Sequence, residues 1–100
     1  MTISETELKH VIAQRVFASD EGLTVDLADA RTITVPLAWF PRLVHGTPAE
    51  RVNWRLMGGG SGIHWPDLDE DISVEGLLAG RRSGEAQASL RAWIQSRKTG

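Results

Sequence analysis

Leu23, Val25 and Leu27 alternate with Thr24, Asp26 and Ala28, and soon afterwards Ile33 and Val35 alternate with Thr32 and Thr34. A period of two puts the apolar side chains on one face of an extended chain, so this stretch reads as half-buried strand. Asp29-Ala30-Arg31 is the turn between the two runs. Upstream, His10 to Ser19 carries Val11, Ile12, Val16 and Phe17 and closes on Asp20-Glu21-Gly22, a turn with glycine available for positive φ. Three strands joined by short turns predict an antiparallel meander.

Pro36 ends the third strand, because it cannot donate to a ladder. Pro41 suits the first turn of a short helix that contains Leu43 and Val44 and stops at Gly46. Thr47-Pro48-Ala49-Glu50 predicts a second helix start, with Thr at N-cap, Pro at N1 and Glu at N3. Val52, Trp54 and Leu56 return to strand periodicity. Gly58 to Gly62 is expected to be a flexible hairpin tip leading into Ile63-His64-Trp65, with Trp54 and Trp65 on one face. Ser73 caps a further helix, Ile72 packs on Leu77 as a hydrophobic staple, and Gly80 ends it. Ser83 caps the longest helix, roughly Gly84 to Arg97, whose apolar stripe of Ala86, Leu90, Trp93 and Ile94 is narrow. Its packing on its own domain or on a partner stays open, with self-packing through Trp93 favoured. The fold class expected is α+β: a small antiparallel sheet of about five strands, ordered β-β-β-α-β-β-α, plus a C-terminal helix. Residues 1–9 are read as a flexible N-terminus with at most one turn from Ser4 to Glu7, 10–80 as the domain, and 81–100 as a helical extension.

Composition narrows the function classes. The chain has 100 residues, 41% of them hydrophobic and 24% charged, which suits one globular domain. It has no cysteine, and that removes disulfides, zinc–thiolate sites and cysteine nucleophiles. No basic n-region or apolar h-region follows Met1, and no apolar run approaches the roughly 20 residues needed to span a bilayer. A cytoplasmic protein without membrane contact is expected. A net charge of −2 disfavours nucleic acid as a partner. The charge is unevenly spread: Asp67, Asp69, Glu70, Asp71 and Glu75 cluster in 67–75, whereas Arg81, Arg82, Arg91, Arg97 and Lys98 face a single Glu85 in 81–98.

Motifs that carry chemistry are incomplete. Gly58 to Gly62 lacks the Lys-Ser or Lys-Thr of a phosphate loop, does not satisfy the dinucleotide fingerprint, and has Ile63 where a nucleophile elbow needs glycine. Asp67 to Asp71 opens like a calcium loop, but Ile72 stands where the sharp turn needs glycine and Leu78 where a bidentate Glu is required. His64 with Asp67 and Asp69 offers at most a mixed divalent site, against the plainer role of carboxylates that favour the N-terminus of the helix capped by Ser73. Those carboxylates are expected to meet solvent or Arg42, Arg51 or Arg55. No cofactor and no metal is expected, and no catalytic residue is assigned. The tryptophans say more: Trp54 and Trp65 suit a small core, while Trp39-Phe40 beside Arg42 suits core and interface about equally.

The segments PLAWFPRL (36–43) and IHWPDLDEDI (63–72) resemble the signatures of a bacterial family, domain of unknown function 2442. The resemblance covers roughly residues 10–80 and implies a small α+β domain of antiparallel strands. Some members carry a helix-turn-helix segment, and members are often encoded beside a second small protein, an arrangement suggestive of a toxin–antitoxin pair. The family commonly has Asp-Gly at the second turn, where this chain has Asp29-Ala30. Alanine resists positive φ, so a longer or distorted turn is expected. Residues 81–100 lie outside the shared motifs. The function expected is a non-enzymatic protein-interaction module, antitoxin-like, whose partner is a neighbouring gene's product; a homodimer stays open. The candidate partner surface is Trp39, Phe40, Arg42, Asp67, Asp69, Glu70, Asp71, Arg91 and Trp93. The alternatives are a DNA-associated regulator acting through Arg91 and Arg97 on the basic C-terminal helix, and a metal-dependent enzyme using the acidic stretch.

Overall fold

The computed structural model describes residues 11–99; the turn read from Ser4 to Glu7, the flexible N-terminus and His10 lie outside them. The first three strands, β1 (Ala13–Ala18), β2 (Gly22–Leu27) and β3 (Thr32–Pro36), form an antiparallel sheet in chain order. Leu23, Val25 and Leu27 are buried and face one way, as their period requires. β1 lacks that clean period because its register with β2 shifts between Ala13 and Arg15. The bulge lets Ala13 and Val16 both point inward. Gly22 does not use its freedom: it pairs with Pro36 inside β2, and the turn is shaped by the Ser19 hydroxyl, which accepts from the N–H groups of Glu21 and Gly22. At the second turn the Leu27 N–H reaches the Arg31 carbonyl and the Ala30 N–H reaches that of Leu27, leaving Ala30 at φ 76°. This is the longer turn expected, with alanine forced into the left-handed region.

A 3-10 turn (Leu37–Trp39) leads into α1 (Pro41–Val44) and α2 (Pro48–Val52). The Thr47 capping box is complete, with the Thr47 hydroxyl accepting from the Glu50 N–H and the Glu50 carboxylate from the Thr47 N–H. A second antiparallel sheet follows, β4 (Arg55–Met57), β5 (Gly62–Trp65) and β6 (Glu70–Ser73), then α3 (Val74–Leu78) and α4 (Gln87–Thr99). The strand inventory therefore differs from expectation: among the described residues six strands in two sheets replace about five in one. The added strand is β6, inside the acidic stretch, where Leu68, Glu70 and Ile72 keep a period of two that the charges conceal. The longest helix also starts later than Gly84. Ser83 accepts from the Glu85 N–H, but helical geometry begins only at Gln87.

Both sheets turn their apolar faces to one core that includes Val25, Leu37, Leu43, Ile63, Trp65, Leu68 and Val74. The ladder places Leu56 opposite Ile63, so extending it by one residue sets the half-buried Trp54 across from Trp65. The glycine turn is seated against β1. Gly60 is buried at φ 106°, and a Cβ there would lie 2.9 Å from the Ala13 carbonyl oxygen. Arg51 is the one buried charged residue among those described, 7% exposed. Its Nε and Nη2 donate to the carbonyls of Leu43 and Val44 at the end of α1, and Nη1 meets Asp20 at 2.6 Å. Trp65 Nε1 in turn donates to the Arg51 carbonyl at 3.0 Å.

Candidate functional site

Apart from Arg91, the residues singled out from the sequence gather where the acidic stretch, the Leu37–Trp39 turn with α1, and the C-terminal segment meet. Arg42 is the centre. Its Nε and Nη2 form a two-point clamp on the Glu85 carboxylate at 2.9 and 2.6 Å, and Nη1 donates to the carbonyls of Leu68 and Asp69. Both partners are largely shielded from water, which strengthens such a bidentate pair. The hydrogen bonds from Arg42 hold the Glu85 carboxyl below the ordinary range. The Arg42 guanidinium also lies 4.8 Å from the centre of the Trp93 ring, and Arg97 lies 4.7 Å from it. Arg97 then reaches Glu50 at 2.6 Å, and this bond first, with the Thr47 N–H behind it, lowers the Glu50 pKa. Helix α4 thus docks on its own domain through Trp93, whose ring two arginines contact.

The three aspartates of the acidic stretch are exposed, as expected, and each meets a polar partner. Asp71 pairs across the ladder with His64. Asp67 accepts from the Asn53 side chain at 2.9 Å, and Asp69, at φ 50°, approaches Arg42 at 3.7 Å. Arg51 does not serve these carboxylates, because the α1 carbonyls and Asp20 engage it. Among the described residues no three His, Asp or Glu side chains converge as a metal-binding group. Glu70 turns inward beside Ile72. Burial pushes its carboxyl up to about 7, against the opposing pull of Arg42 and the Asp71 N–H.

Glu70 lines a cleft of about 210 Å³ that runs along all four residues of β6. Phe40 and Leu77 are its apolar lining, and residues 81–84 form the facing wall. That wall is held by backbone bonds from Arg81 N–H to the Gly76 carbonyl and from Ser83 N–H to the Trp39 carbonyl, each 2.9 Å. Trp39, half-buried, lies under the Arg82 guanidinium at 4.8 Å. Phe40, named above for a partner surface, is 5% exposed and belongs to the core. Arg91 is exposed on α4 and takes no part in the clamp or the Trp93 stack. Sequence reasoning missed the partners of Arg51 and Glu85, and the cleft. The period-two run Leu68, Glu70, Ile72 was the signal for an inward carboxyl, whereas the pairing of Arg42 with Glu85, 43 residues apart, left none.

Among the described residues no helix is long and apolar enough to cross a membrane. The family model for a protein of unknown function, domain of unknown function 2442, matches residues 13–83. A crystal structure of a protein of unknown function from Rhodospirillum rubrum is similar, with TM-score 0.66 and 28% identity over 78% of this chain and 96% of that one. A solution structure of an uncharacterized protein from Chromobacterium violaceum shares the fold, with TM-score 0.63 and 24% identity over 73% of this chain and 69% of that one. No curated protein matches.

Proposed function

The chain belongs to the family of domain of unknown function 2442, and we propose that it acts as a non-enzymatic protein-interaction module, the antitoxin-like partner of a small protein encoded beside it. The observation that carries this reading is the cleft along β6. It combines an open strand edge, an apolar lining and two arginines, Arg81 and Arg82, that enter no ion pair among the described residues. Such a mixture of backbone, apolar and charged groups suits recognition of another chain. A DNA-associated role through α4 has weaker support, since Arg97 is engaged by Glu50 and the Asp67 carbonyl. Cytoplasmic location belongs to the same proposal.

Co-expression with the product of the adjacent gene tests it. Co-purification at fixed stoichiometry, with growth inhibition by the neighbour relieved by this chain, is the expected result. A neighbour that sediments separately and is harmless alone would end the antitoxin-like reading.

A further inference from the structure

The β5–β6 register decides which backbone groups of β6 look outward. Gly62 pairs with Ser73 and Trp65 with Glu70, and the Val74 N–H donates to the Ser61 carbonyl at 2.9 Å. In an antiparallel ladder only alternate partners exchange hydrogen bonds. Residues 70, 72 and 74 therefore bond to β5, and the backbones of Asp71 and Ser73 point away from it. The close His64–Asp71 side-chain contact agrees, because non-hydrogen-bonded pairs bring side chains nearer. β6 ends the order β4-β5-β6, so these outward groups face the cleft. Among the described residues the Asp71 N–H is approached only by the carboxyl of its neighbour Glu70.

We propose that the cleft takes a short extended segment of another protein, added as a fourth strand beside β6 and alternating apolar with acidic residues. This rests on the interaction reading above and names its surface and partner chemistry. The backbone of the segment would bond to the N–H and carbonyl of Asp71 and to the N–H of Ser73, whose carbonyl begins α3, the mode in which an exposed sheet edge captures a peptide. Alternate side chains of a strand point to opposite faces. One set lies over the buried edges of Phe40, Ile72 and Leu77, and the other meets Arg81 and Arg82, which pair with no carboxylate among the described residues. Charge sets the sign of the partner. Asp71 already faces His64 and the Glu70 carboxyl turns inward, so Arg81 and Arg82 are the charges the cleft offers an incoming strand.

The probes are the blocked peptides acetyl-TVEVEVT-amide and acetyl-TVKVKVT-amide, titrated against the full chain with amide shifts and hydrogen exchange as readouts. The acidic peptide is expected to shift the Asp71 and Ser73 amides saturably and to slow exchange at Asp71. The lysine peptide should bind about tenfold more weakly or worse. Asp71→Pro removes the outward N–H without touching the β5 ladder and should cost about tenfold or more in affinity. Asp71→Ala keeps that N–H and should stay within about threefold. If Asp71→Pro does not fold, N-methylation of alternate peptide nitrogens replaces it: one alternation abolishes binding and the other spares it. Shifts that map elsewhere, equal binding of both peptides, insensitivity to N-methylation, or Asp71 protection explained by self-association would each overturn the proposal. The two readings separate cleanly. If the neighbouring product binds wild type and Asp71→Pro alike, the edge inference falls and the interaction module stands. If that product binds neither while the acidic peptide binds, the edge stands and the antitoxin-like role falls.

Discussion

Between Ala13 and Leu78 the chain is held by apolar burial, and every buried side chain described lies there; from Ala79 onward none is fully buried. The later segment is attached instead by Arg42 to Glu85, Arg97 to Glu50, and the contact of both guanidiniums with the Trp93 ring. The first region depends on area removed from water, which salt hardly weakens. The second depends on a few partly exposed ion pairs and stacked cations, which salt screens and single substitutions remove. One chain thus contains a core and an electrostatically latched arm. The cleft lies at their seam.

Several substitutions would break or sharpen that contrast. Trp65→Ala strikes the core where a fully buried ring also donates to the Arg51 carbonyl. It should cost about 3–5 kcal/mol in urea unfolding and abolish the transition in a marginal domain. A loss no larger than that of an arm variant would erase the distinction.

Glu70 tests the seam through pH. Its folded carboxyl titrates near 7 and its ordinary value is 4.5, because burial disfavours the charge. The folded state therefore holds the proton more tightly than the unfolded one. This group's contribution is full below about pH 4.5 and is lost as pH rises through about 7. After allowance for solvent screening the loss should be about 2 kcal/mol. Glu70→Gln should flatten stability across this window, as followed by thermal melts from pH 4.5 to 8, and an unchanged slope would contradict the assignment.

The arm should yield next. Arg42→Met removes the clamp on Glu85 and one of the two cations on Trp93, at a global cost of about 1–2 kcal/mol. Hydrogen exchange in 87–98 should rise sharply while β2 and β5 stay protected. Half-molar salt should reproduce that pattern in the wild type more weakly. Uniform loss of protection would mean that arm and core unfold as one.

The smallest effect expected has the opposite sign. Ala30 sits at φ 76° in the second turn, a conformation that costs a side-chain-bearing residue about 1 kcal/mol and glycine almost nothing. Ala30→Gly should raise the melting temperature by a few degrees without altering exchange in the arm.

The core was far more legible in the sequence than the arm. Leu23, Val25 and Leu27 announce their strand because their neighbours are polar, and Thr47 with Glu50 announces a helix start because both halves of the cap lie within one turn. β6 was hidden because Asp and Glu are poor strand formers, so composition masked the alternation of Leu68, Glu70 and Ile72. Helix α4 was placed three residues early because Ser83 does accept a backbone bond, yet Gly84 to Ala86 do not continue into helix. The clamp itself was illegible. Arg42 had several acidic residues within reach of imagination, and only the fold shows that Glu85 is the one it grips. Arg51, expected among the partners of the acidic stretch, proves to be a buried tie between α1 and the first turn.

The pairing of each strand only with its neighbour in the chain has a consequence for how fast the fold is found. Each sheet closes through short loops, so little chain entropy is lost before a ladder begins to form. Sequence-local pairing of this kind places a two-state domain toward the fast end for sheet proteins, with refolding on the order of milliseconds. Neither three-stranded ribbon can cover its apolar face until the other arrives. The slow step should then be their docking at Gly60, where backbone meets backbone beside Ala13. Stopped-flow refolding of Gly60→Ala, which places a Cβ in that contact, should be slowed far more than that of Ala30→Gly, whose turn closes within one ribbon.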